Sequence, residues 1–164
     1  MRLPPLDPSE LDPQLEEYYH SGERGQRIVQ GLGRRPETLR RWLDLYYSVV
    51  RDEGALSLQH KELIRNQLAR LFQCQMCQQL VLPEAEVEPS RLAKILDPDD
   101  SFGPDERALL RFSRNLHTGP EQVGPEDFAE MRKHFSDEQI TEAGFVVSFF
   151  AAAGRLNFGF GVFD

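Results

Sequence analysis

Val, Ile and Thr together fill only 16 of the 164 positions, against 21 Leu and 11 Gln. β-Branched side chains suit a pleated sheet, whereas Leu and Gln lose little on entering a helix. A mainly helical chain is therefore favoured before any pattern is read. The length suits one core, so residues 1–164 are read as a single domain with a short N-terminal extension over 1–10.

The apolar spacing supports this reading. Leu11, Leu15, Tyr18 and Tyr19 recur at helical intervals, predicting a short helix from about Asp12 to His20. Gly22, Gly25, Gly31 and Gly33 punctuate the next segment, and Pro36-Glu37 opens a helix carrying Leu39, Trp42, Leu43 and Tyr46 to an end near Gly54. Ser57 is placed to cap the following helix, with Leu63, Ile64, Leu68 and Leu71 on its apolar positions. From 57 to 82 the pattern fits one long helix or two shorter ones with a break near Gln73. Leu92, Ile95 and Leu96 suggest a short helix, Pro104 and Pro125 open two more, and Ser136 with Gln139 has the form of a capping box. The last helix is apolar nearly all round, which places it centrally in a core or between subunits. About seven helices with short connections make an all-α domain.

The net charge is −8, and all the excess acid lies in residues 83–164. Polyanion binding needs a basic footprint, so nucleic acid is not an expected partner. The opening prolines leave no secretory signal, and the longest apolar run, Phe145 to Gly154, is shorter than a bilayer span. A soluble cytoplasmic protein with no membrane partner is expected.

Only two cysteines occur, Cys74 and Cys77. On one helix they leave the same face and could close a disulfide, which is the spacing thiol–disulfide exchange uses. The chemistry also needs a thiolate, favoured by a cation or a helix N-terminus. Arg70 serves if the helix is continuous, and the dipole of a new helix serves if it breaks at Gln73. Simple core packing is the competing reading of the pair. Zinc needs four ligands and no second cysteine pair exists, so neither a metal nor any other cofactor is expected.

Leu56-Ser57, Lys61-Glu62-Leu63-Ile64, Leu71-Phe72-Gln73-Cys74-Gln75-Met76-Cys77, Asp105 to Leu110 and Phe135 to Ile140 together resemble the alkylhydroperoxidase D-like and carboxymuconolactone decarboxylase superfamily. Its most specific part is a Glu, eleven intervening residues, then the two-cysteine motif, which Glu62, Cys74 and Cys77 satisfy. The resemblance implies an AhpD-like helical fold and an antioxidant oxidoreductase, a thiol–disulfide redox protein of which alkylhydroperoxidase-type peroxide reduction is the narrower form. It implies Cys77 as the attacking thiol, Cys74 as the resolving one and Glu62 in a proton relay. It also implies a homo-oligomer, a trimer or hexamer, and a redox partner protein. On one straight helix Glu62 and Cys74 would be about 18 Å apart, so the relay requires a break or fold-back near Gln73. Peroxidase members carry histidines where this chain has Met76 and Val81. Two alternatives follow: a lactone-decarboxylase-like enzyme, and a non-catalytic oligomeric module that has lost the relay. The aromatic tail Phe158 to Phe163 is a further candidate contact between subunits, with packing on its own domain as the other reading.

Overall fold

The computed structural model describes residues 1–163, and among these the chain is all-α with no strand. Its nine α-helices are α1 (Glu16–Tyr19), α2 (Glu23–Leu32), α3 (Pro36–Tyr46), α4 (Leu58–Leu71), α5 (Gln75–Gln79), α6 (Pro89–Leu92), α7 (Pro104–Thr118), α8 (Pro125–Met131) and α9 (Asp137–Phe160). The contacts group them into two compact units, Met1–Ser48 with the stretch from Ala153 onward, and Val49–Ala152.

In the first unit, Leu15, Ile28, Val29, Leu39, Leu43 and Val162 form a closed apolar cluster. Residues 1–10 pack here too: Leu6 is buried, and its amide donates to the Gln30 carbonyl at 2.9 Å. The expected helix over 12–20 is shorter, because Asp12 first caps a 3-10 turn at Pro13–Leu15. The glycine-punctuated segment corrects the sequence reading, since it is the ten-residue helix α2. Its glycines give room rather than breaks. A Cβ on Gly25 would overlap the Tyr18 carbonyl, so that glycine lets α1 lie against α2. Part of the aromatic tail packs on this unit as well, with Val162 fully buried and Phe163 against the same cluster.

The second unit is built around α4. Ile64 and Leu68 face one cluster with Phe112, Met131, Ile140 and Val147, while Leu63 faces another with Leu92, Ile95, Phe102 and Leu110. Packing on several sides buries all nine residues from Lys61 to Ala69, four of them charged or amide side chains besides Lys61. Helix starts follow the capping chemistry read from the sequence. Ser57 Oγ accepts from the His60 amide at 3.3 Å, and the Ser136–Gln139 box closes in both directions at 2.9 and 3.2 Å. By length and composition α9 could cross a membrane, but its Ile140, Ala143, Val146 and Val147 belong to the first of these clusters.

Candidate functional site

The segment 57–82 is two helices. α4 ends at Leu71, Gln73 takes a left-handed conformation with φ 57°, and the Cys74 amide folds back onto the Ala69 carbonyl at 2.9 Å. The short helix α5 then starts with Cys74 as its N-cap. This is the fold-back that a shared site for Glu62 and the cysteines requires. The chain after α5 returns along α4, so the Leu82 amide reaches Glu62 Oε1 at 3.3 Å.

Cys74 and Cys77 are joined in a disulfide. Cys74 is 5% exposed, and its sulfur accepts from the Cys77 amide at 3.2 Å. Cys77 is half-buried, so of the two it lies nearer to solvent.

Glu62 is completely buried, and its carboxylate is satisfied from several directions. Arg65, one turn along α4, donates from Nε to Oε2 and from Nη2 to Oε1, both at 2.7 Å. Asn66 Nδ2 adds a third donor at 2.7 Å. The remaining arm of Arg65, Nη1, donates to the Cys77 carbonyl at 2.7 Å. Glu62 is thus joined to the cysteine turn through a guanidinium. A planar fork that binds a carboxylate with two donors and keeps a third for a carbonyl is a geometry Lys does not reproduce.

Arg65 was not singled out from the sequence, although the Glu62-x-x-Arg65 spacing of an i,i+3 ion pair was there to be read. Arg70 donates from Nη1 to Gln78 Oε1 at 3.2 Å, which ties it to α5 through a side-chain amide. Met76 and Val81 are both half-buried. Imidazoles lie elsewhere in the unit: His60 contacts Ser57 Oγ and Asp105, and His134 lies beside Glu130. Among the described residues no group of three or more His, Cys, Asp or Glu side chains could hold a metal ion.

No family model matches the sequence, and no curated protein sequence matches it. Solved structures do. A peroxidase-related protein with an alkylhydroperoxidase AhpD core, from Ralstonia eutropha JMP134, superposes with a TM-score of 0.82 at 21% identity over 98% of this chain and 90% of that one. A peroxidase-related protein from Silicibacter sp. TM1040 gives 0.72 at 18% identity, over 98% and 88%. The debrominase Bmp8, as a cysteine-to-alanine variant in complex with 2,3,4-tribromopyrrole, gives 0.76 at 18% identity, over 98% and 90%. The chain has the AhpD-like fold. At these identities the likeness carries the fold alone.

Proposed function

We propose that this chain is a thiol–disulfide redox protein that reduces peroxides or disulfides at Cys77, with Cys74 resolving. The observation that carries the reading is the cysteine turn itself: a closed pair, one cysteine buried and the other nearer solvent, joined to a buried carboxylate by Arg65. A sealed thiol suits resolution, and an accessible one suits attack. The peroxidase-related neighbours with the same fold are compatible with it.

In the peroxide form, the Cys77 thiolate attacks one peroxide oxygen. The S–O bond forms, the O–O bond breaks, and the displaced alkoxide takes a proton and leaves as alcohol. The Cys74 thiol then attacks the sulfenic sulfur, the S–S bond forms, and water leaves. An external dithiol returns two electrons and two protons by two exchange steps. A reducing cytoplasm supplies such dithiols, and the proposal places the protein there. Glu62 acts in this proposal as a positioning residue through Arg65. A proton-relay role for it requires that reduction release at least one of its donors.

Rapid-quench counting of free thiols after one equivalent of alkyl hydroperoxide tests the reading. The expected result is loss of two thiols in the parent chain, and a trapped sulfenic acid in Cys74→Ser. Thiols that oxidise no faster than those of a model peptide would overturn it. Turnover of a lactone that survives replacement of both cysteines would favour the decarboxylase reading instead. The proposal includes a homo-oligomer, supported by Phe145, which is 61% exposed on α9. Phe145→Glu should then lower the mass in solution.

A further inference from the structure

A concave site lies in the same unit, on a face of α4 other than the one carrying Glu62. A cavity of about 560 Å³ runs along α7, lined by Arg107, Arg111 and Arg114, with Leu110 and Ala108 as apolar wall and Gln67 of α4 also in its lining. The three arginines stand at i, i+4 and i+7, which puts them on one stripe of the helix. The volume lies within the range of small-molecule sites, roughly 300–1,000 Å³, and exceeds that of a single water by more than an order of magnitude.

Its polar groups are left with bonds to make. Gln67 is completely buried, yet neither its Nε2 nor its Oε1 has a hydrogen-bond partner. Arg114 Nε is also buried and without a partner, although its Nη2 donates to the Leu96 carbonyl. Arg111 is 4.0 Å from the Asp127 carboxylate, beyond hydrogen-bond reach, and its charge also acts on Glu130. Arg107 is committed, since its Nη1 donates to the Phe102 carbonyl at 2.6 Å. The one carboxylate lining the cavity, Glu130, is paired with Lys133 at 2.5 Å. Three guanidiniums and one carboxylate thus line the cavity, and Arg107 and Arg111 have further carboxylates outside the lining, Asp100 at 3.8 Å and Asp127 at 4.0 Å. Buried amides and guanidinium N–H groups are satisfied in almost all folded proteins, so unpartnered ones on two residues that line one cavity suit a ligand atom there.

We propose that this cavity binds a small organic oxyanion, a carboxylate or phosphate on a partly apolar body. Arg111 and Arg114 bind the anion, and the Gln67 amide reads a polar group beside it. The guanidinium fork matches both anions, and Gln67 offers one donor direction and one acceptor direction. The site is independent of the cysteine chemistry proposed above and requires neither sulfur.

Calorimetric titration of the full chain with benzoate and, separately, inorganic phosphate tests this. Benzoate should bind with a dissociation constant below about 1 mM, at least tenfold more weakly in the double variant Arg111→Gln/Arg114→Gln, and equally well in Cys77→Ser. Tighter phosphate than benzoate would assign the anion as phosphate; the reverse order would assign a carboxylate with an apolar body. Gln67→Leu, which keeps the helix and removes the amide, should also weaken binding and gives a second readout if the arginine pair misfolds. No heat with either probe up to about 10 mM, or equal affinity in the variants, would overturn the proposal. So would a fall in mass of the arginine variant without any anion binding, since that would assign the face to a second copy of the chain.

Discussion

Lys61 and Glu62 are neighbours in α4, both completely buried, and they are satisfied in opposite ways. Lys61 reaches across the unit: its Nζ meets Glu142 Oε1 at 2.5 Å and donates to the Asp52 carbonyl at 2.9 Å, while Glu142 Oε2 accepts from the Leu56 amide at 2.6 Å. Glu62 pairs within its own helix and passes the contact on, through Arg65, to the cysteine turn. The first pair ties α9 and the loop before α4 to α4 itself. The second ties α4 to the five-residue helix α5. A buried ion pair does little for net stability compared with apolar packing, but losing one partner is costly. Both pairs should therefore be sensitive to damage, and they differ in what the damage reaches: the fold in one case, the cysteine turn in the other.

Breaking the first pair should have the largest effect. Lys61→Met leaves Glu142 without its cation and should cost about 3–5 kcal/mol in urea unfolding. The double variant Lys61→Met/Glu142→Leu should recover part of that loss, and strict additivity would refute the pairing. Arg65→Met should cost less, about 2–3 kcal/mol, because Glu62 keeps Asn66 and the Leu82 amide as donors. Unlike the Lys61 variant, it should also shift the dithiol–disulfide equilibrium against glutathione by about tenfold, or about 30 mV. An unchanged equilibrium would separate Arg65 from the cysteines. Ser57→Ala removes the cap of α4 one turn before Lys61 and should cost about 1 kcal/mol with the disulfide equilibrium unmoved.

The smallest effect belongs to surface carboxylates outside both pairs. Hydrogen bonds from Lys94 and then Ser101 hold the Asp99 carboxyl well below its ordinary value, and those from Arg40 and Arg41 lower Glu37. A depressed carboxylate contributes stability that is present above the ordinary carboxylate range and is lost as pH falls through the folded-state value. Acid unfolding of Asp99→Asn should show a slightly shallower pH dependence, and high salt should erase the difference.

The contrast between the two pairs also marks what could be read from the chain. The helical class, the caps at Ser57 and Ser136, and the helices opened by Pro36, Pro104 and Pro125 all follow from local chemistry, and all are present. α2 was missed because glycine lowers helix propensity, and only the packing of α1 explains why Gly25 belongs inside a helix. The break at Gln73 was one of two open readings, because a left-handed glutamine leaves no mark in composition. Glu62 was legible by spacing to the cysteines, but the Arg65 clamp depends on α5 folding back against α4 after the break at Gln73. Lys61–Glu142 spans most of the unit in sequence, beyond any local pattern.

The disulfide joins residues only three apart. A cross-link of so small a ring removes little freedom from the unfolded chain: on the loop-entropy relation it is worth about 2 kcal/mol, against about 4.7 for a 100-residue loop. Opening this bond should leave α4 and the clusters around it folded. The bond is therefore better placed as one half of a two-electron couple than as a staple: opening it takes up two electrons and closing it gives them back, without rebuilding the protein around it.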